Sequence, residues 1–343
     1  MSVTIYDIAD HADVSIATVS RVFNDHPRVS DSTRERVFDV ATRLGYEPHA
    51  SAQSLARKNT RIVSAVVPMM TSFFFMEVLR GLQDRLDESD YDLLVYAART
   101  LGRVDGQLGR ALQRGRSDGM ILVSTPVSGD RARRLASSRN PVVLVDSYHE
   151  DLDSVSVDNV TGGAEAVRHL LDRGHERIGL ILPLAESVPA QDRRAGVEQE
   201  LAARGRALDP RHVVVAEWDH EQHGYTRYAG YRGMQKLLEL PPEARPTAVF
   251  AAADVMALGA LRAAREAGLS VPGDLEVVGF DDVASSAYVG LTTLRQPMVE
   301  MGTLATELLL RRMSEPDTPP SHTVFVPRLV VRETTGGPVS ETA

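Results

Sequence analysis

From Arg61 onward the chain alternates between short, wholly apolar runs and longer helical stretches, and few architectures accommodate that alternation. The runs suited to buried strands are Ile62–Val67, Tyr91–Tyr96, Gly119–Val123, Val142–Val145, Arg177–Leu182, Val213–Ala216, Ala248–Ala251 and Leu275–Gly279. Between most of them lie helical stretches: Glu77–Asp87, Gly163–Asp172, Asp192–Ala203, Gly230–Leu238 and Val255–Ala267. Short runs that are apolar at every position suit strands covered on both faces, so the pattern predicts parallel sheets with helices on each side. The stretch is too long for one compact sheet. The reading is an α/β core of two doubly wound lobes over residues 61–333, with a cleft between them where a small ligand would sit near the strands' carboxyl ends.

The first 46 residues follow a different, helical period and read as an all-α helix-turn-helix headpiece. Thr4 caps a first helix whose apolar face is Ile5, Ile8 and Ala9. Ser15 caps a second carrying Ile16, Val19, Val22 and Phe23, and the turn between them holds Asp13, a residue that tolerates the left-handed conformation. A third helix runs from a Ser30 cap to Leu44 and ends at Gly45. Residues 47–60 read as a hinge helix and linker. Pro48 starts about two helical turns, Ala50 to Ala56, which are too short to be stable unless they order against a partner. The polar tail 334–343 is expected to be disordered and carries no heptad pattern.

With no cysteine, disulfides and thiolate metal sites are excluded. No apolar run reaches about 18 residues and no leader follows Met1, so a soluble, cytoplasmic, bacterial protein without a membrane segment is expected. The net charge is −9, but residues 1–61 hold eight basic and eight acidic side chains, so the whole excess lies beyond them. A neutral headpiece must attract phosphate through local arrangement, because its total charge does not.

Several words of the sequence resemble the LacI (lactose repressor) family of transcriptional regulators over residues 3 to about 333. In the headpiece they are Thr4-Ile-Tyr-Asp-Ile-Ala, Val14-Ser, Thr18-Val-Ser-Arg21-Val and Arg34-Glu-Arg-Val37, with Tyr46-x-Pro48 and Ala52-x-x-Leu55 in the hinge. In the core they are Val157-Asp-Asn159-x-x-Gly162, His169-Leu170, Gly174-His175-x-x-Ile178, Asp254-x-Met256-Ala257-x-Gly259 and Val278-Gly-Phe-Asp-Asp282. The chain departs from the family pattern at Asp13, His49, Met69, Ser72, Phe73 and Ala253. The resemblance implies a core like that of type I periplasmic binding proteins.

It also implies a homodimer that grips a palindromic double-stranded DNA operator, the protein being nucleoid-associated when bound. On the second helix Ile16, Ala17 and Arg21 are the candidates for base edges. Arg21 offers two parallel donors to guanine O6 and N7, whereas Ile16 and Ala17 can only pack, for example on a thymine methyl. The alternative for Ile16 is a core position. Thr4, Tyr6, Ser15, Thr18, Ser20, Asn24, Ser30 and Thr33 are short polar groups suited to phosphate oxygens, and Thr4, Ser15 and Ser30 also serve as caps. The resemblance places Leu55 as an apolar wedge in the minor groove, paired with its twin.

In the cleft the resemblance assigns Arg193 and Asp281 to effector binding, a fork and a carboxylate suited to the vicinal hydroxyls of a sugar. Trp218 would offer an aromatic wall, and Phe73, Phe74, Asp158 and Asp254 are weaker candidates. Asp281 alternatively forms a strand-end turn, and Phe74 a core contact. No cofactor motif is present. His220-Glu-Gln-His223 reads as a solvated loop rather than a metal site. The expected function is a non-enzymatic, ligand-responsive repressor with a sugar effector. The alternatives are a cytoplasmic sugar-binding protein, or a sugar-processing enzyme using Asp158, Asp254 and Asp281.

Overall fold

The computed structural model describes residues 3–23, 28–46, 59–98, 101–217 and 224–338. The headpiece consists of α1 (Ile5–His11), α2 (Ile16–Phe23) and α3 (Asp31–Leu44). Each helix start follows from its cap. The Thr4 N–H and hydroxyl both donate to Asp7 Oδ2, at 2.8 and 2.7 Å, and the Ser15 and Ser30 hydroxyls accept from the N–H groups of Thr18 and Thr33 at 3.1 and 3.4 Å. Asp13 sits at φ +50° in the turn, and Gly45 at φ +65° ends α3. Ile8, Val19, Val22 and Val37 are the fully buried centre of this small core.

Two six-stranded sheets make up the rest. The first-lobe sheet contains β1 (Ile62–Val67), β2 (Asp92–Ala97), β3 (Gly119–Val123), β4 (Val142–Val145), β5 (Asp153–Val157) and β11 (His322–Phe325) in the order β11-β5-β4-β3-β1-β2, all parallel. The second contains β6 (Ile178–Leu182), β7 (Val213–Val215), β8 (Ala248–Ala251), β9 (Glu276–Asp281), β10 (Thr292–Arg295) and β12 (Arg328–Val330), in the order β12-β10-β9-β8-β6-β7. Only β12 runs antiparallel, to β10. The chain passes between lobes after β5, after β10 and after β11. The doubly wound expectation holds for both lobes.

The covering helices are α4 (Phe73–Leu86), α5 (Leu101–Ala111), α6 (Gly129–Ala136), α7 (Asn159–Asp172), α8 (Val188–Ala203), α9 (Arg227–Leu238), α10 (Asp254–Glu266), α11 (Ala284–Tyr288) and α12 (Met298–Ser314). Glycines on facing surfaces let α7 and α8 touch backbone to backbone. A Cβ on Gly163 would strike the Arg193 carbonyl, and one on Gly196 the Val160 carbonyl. The same reciprocal arrangement joins α4 to α12 through Gly81 and Gly302.

The structure differs from the sequence expectation at several elements. Helices α4, α7 and α8 begin about a turn earlier than the apolar period suggests, because their first turns are polar or cleft-facing and are set by the N-terminal residues Ser72, Asp158 and Ser187. Strand β5 reads Asp-Ser-Val-Ser-Val and lacks the apolar signature; β4 and β11 bury it from either side. Its Asp153 is tolerated there because Arg312 binds the carboxylate at 2.9 and 3.1 Å and the Ser321 N–H at 2.8 Å. The disordered tail does not start at Thr334. Thr334 and Thr335 are buried, with Thr334 accepting from the Thr292 N–H and donating to the Val277 carbonyl at 2.9 and 2.7 Å. These hydroxyls satisfy the backbone of the sheet's edge, which composition alone did not reveal.

Candidate effector cleft and DNA-reading face

The strands' carboxyl ends carry the cleft. Met69 follows β1, Ser124 follows β3, Asp146 follows β4, Leu184 follows β6, Ala253 follows β8, and Asp281 closes β9; all line one cavity of about 490 Å3. That volume lies in the range of small-molecule sites, roughly 300–1,000 Å3. Ser124, Asp146 and Asp281 adopt positive φ (+43°, +53° and +125°) without being glycine. Such strain concentrates where a backbone must turn sharply to aim a side chain at a ligand.

Arg193, on α8, is 4 % exposed. Its Nε donates to Asn159 Oδ1 at 2.9 Å, Nη1 donates to the Ala252 carbonyl, and the guanidinium lies flat over Phe280. Asp281 accepts from the Gln296 side-chain nitrogen at 2.6 Å. Burial raises its pKa and the Asp146 charge adds to that, while Arg193 and the Gln296 hydrogen bond oppose the rise. Across the cleft Asp146 accepts from the Ser124 hydroxyl at 2.7 Å. As a residue it is half-buried, since it faces the cleft, but its carboxyl is set among protein groups and burial pushes its pKa up to about 6. Ser124 and Arg193 hold it below where burial alone would put it. Tyr225 donates to or accepts from the Ser187 hydroxyl at 2.7 Å on the second-lobe wall.

Of the residues that sequence reasoning assigned to the effector, Phe74, Arg193 and Asp281 line the cleft together. Phe73, Asp158 and Asp254 do not. Phe73 packs on the first-lobe core. Asp158 caps α7, accepting from the Thr161 N–H and hydroxyl at 2.9 and 2.6 Å. Asp254 is 0 % exposed and accepts from the Val283 N–H at 3.0 Å and from the Ser286 and Thr293 hydroxyls at 2.6 and 2.5 Å. It therefore clamps the chain that leaves Asp281 instead of meeting a ligand. Trp218 lies outside the described residues, as do His220 and His223. Ser124, Asp146, Tyr148, Tyr225 and Gln296 line the cleft and were missed. Ser124 and Asp146 had a usable signal, being the first polar residues after two apolar strands.

On the headpiece, Ile16 is 41 % exposed, and Ala17 and Arg21 share its outward face while Val19 and Val22 point inward. Ile16 is thus no core residue. Tyr6 is 66 % exposed. Ser15 and Ser30 work as caps and touch the hydroxyls of Thr18 and Thr33 at 2.9 and 2.8 Å. Thr4 is likewise held by its cap, and Ser20 is half-buried. Asn24, Leu55 and the hinge helix lie outside the described residues. The apposition of an outward Arg21 face and a two-lobed cleft in one chain calls for comparison with known proteins.

Residues 4–49 match the family of bacterial regulatory proteins, lacI family, and residues 167–335 match the periplasmic binding protein-like domain. Catabolite control protein A of Priestia megaterium is 35% identical over 346 residues, 98% of this chain and 100% of that protein. The chain belongs to the LacI family of transcriptional regulators. The ribose operon repressor of Haemophilus influenzae is 33% identical, covering 96% of this chain and 98% of its own length. Among solved structures, the Lac repressor dimer bound to operator and the anti-inducer ONPF has a TM-score of 0.83 at 28% identity, over 98% of this chain and 99% of that one. The regulator CelR in complex with cellobiose has a TM-score of 0.71 at 30% identity, over 97% and 99%. These relatives are regulators, not enzymes. Among the described residues no helix of this LacI-family chain is long and apolar enough to cross a membrane, and no cluster of three or more histidine or acidic side chains is arranged to hold a metal.

Proposed function

We propose that the chain is a cytoplasmic, ligand-responsive repressor that binds a palindromic operator as a homodimer and takes a sugar as effector in the interlobe cleft. The observation that carries this reading is the joint presence of an outward recognition face (Ile16, Ala17, Arg21) and a cleft in which Arg193 and Asp281 face Asp146. Arg21 reads a guanine edge, and the capped polar residues Thr4, Tyr6, Ser15, Thr18, Ser20, Ser30 and Thr33, with Asn24, fix register on phosphates. Leu55 wedges into the minor groove at the operator centre.

The sheets' strand ends move relative to one another when the lobes open or close, and the hinge transmits that motion to the headpieces. An effector shifts operator affinity only by its differential affinity for the two arrangements. The experiment is to select a duplex from random sequence with the full chain and then titrate sugars against the complex. A palindromic consensus whose affinity changes when a sugar is added supports the reading. A chain that binds sugar but no duplex would instead be a plain sugar-binding protein.

A further inference from the structure

The lining of the cleft is divided by chemistry. One set of groups needs hydrogen-bond donors: the Asp146 and Asp281 carboxylates and the Gln296 side-chain oxygen. That oxygen is buried and accepts no hydrogen bond within the protein, because the amide's nitrogen is the part turned toward Asp281. Donors on the protein side are few. The Ser124 hydroxyl is committed to Asp146, and Arg193, the only basic residue among the described lining residues, already serves Asn159 and the Ala252 carbonyl. The second set offers carbon alone: Met69, Phe74, Phe75, Val127, Ala253 and Val255. Phe74 and Phe75 meet edge to face at 5.4 Å, so their orientation is fixed before a ligand arrives.

The geometry points to an uncharged, hydroxyl-rich ligand with an apolar substituent, a sugar glycoside carrying an aryl or alkyl group, and to the exclusion of sugar phosphates. This rests on the cleft being the effector site. Sugar hydroxyls donate to both carboxylates and to the orphaned Gln296 oxygen, which otherwise stays unpaired at a cost. A phosphate brings no donors, adds negative charge beside Asp146 and Asp281, and finds one partly committed arginine to offset it. A single pyranose ring leaves part of the 490 Å3 unfilled, and the wall bounding that part is apolar. An aryl or alkyl aglycone fills it and removes carbon surface from water.

The test is calorimetric titration of the full chain with glucose, galactose and mannose, each as the free sugar, the phenyl glycoside and the 6-phosphate. The expected result is one phenyl glycoside binding about ten-fold or more tighter than its free sugar, with no binding of the matching phosphate. Phe74→Ala should then bring the glycoside down toward the free sugar while leaving the free sugar's affinity and the melting temperature nearly unchanged. A phosphate that binds as well as its free sugar overturns the charge argument, and equal affinity for free sugar and glycoside overturns the apolar one. Binding of no sugar in any form would overturn the effector reading beneath both.

Discussion

The guanidinium carbon of Arg193 lies 3.6 Å from the centroid of the Phe280 ring. Phe280 is fully buried and sits one residue before Asp281, so the stacking fixes the arginine against the same strand that presents its partner carboxylate. A planar cation over a desolvated ring is worth about 2 kcal/mol, and a lysine ammonium would lose both the flat contact and the fork. Arg193→Lys should therefore fail to restore effector binding that Arg193→Ala abolishes. Calorimetry on both variants checks this; normal affinity in the lysine variant would show that charge alone is required.

Gly163 places its α-carbon against the Arg193 carbonyl, with no room for a methyl group. Gly163→Ala should push α8 off α7, destabilising the fold by about 1–3 kcal/mol and displacing Arg193 from the cleft. Denaturant unfolding with effector titration would register both effects. Unchanged stability would mean that the helix pair has slack.

Asp146 should make effector affinity depend on pH. Burial holds its pKa at about 6, above the ordinary 3.8, while Arg193 and Ser124 pull it down and Asp192 pushes it up. Between about pH 4 and 6 the folded chain keeps a proton that the unfolded chain has released, so this group's contribution to stability falls as pH rises through that window and levels off above it. A neutral ligand donating hydroxyls prefers the ionised carboxylate, so affinity should rise from pH 5 to 7. Asp146→Asn should flatten that rise. An equally steep profile in the variant would shift the assignment to Asp281, whose pKa is also raised by burial.

Asp254→Ala should destabilise the second lobe by about 3 kcal/mol or more, since it leaves the Val283 N–H and the Ser286 and Thr293 hydroxyls without their common acceptor. Thermal unfolding measures it. A variant as stable as the parent would return Asp254 to the candidates for direct ligand contact.

Arg21→Ala should cost about 1–3 kcal/mol at one symmetric base pair of the selected operator and relax specificity there. Binding to duplexes varied at each position checks it. A uniform loss across all sequences would make Arg21 a phosphate contact.

Hydrophobic period and caps determined much of this protein in advance. Ile8, Val19, Val22 and Val37 had to form the headpiece core, Asp13 and Gly45 had to take the left-handed turns, and the runs at β1, β3, β4, β6 and β8 had to be covered on both faces. Each of those statements concerns neighbours in the chain, where spacing and local backbone preference dominate. Arg193 and Asp281 were legible through their motif words, and Phe74 through its position.

Tertiary structure decided the rest. Asp146 and Gln296 reach the cleft because strand ends distant in sequence converge there, which no local window records. Asp158 and Asp254 look equally suited to a ligand in sequence, yet each is engaged by donors of its own lobe. Strand β5 and the buried Thr334 and Thr335 are polar by composition and internal by pairing. A polar residue's role depends on which donors and acceptors folding brings within about 3 Å, and that is a property of the packed chain.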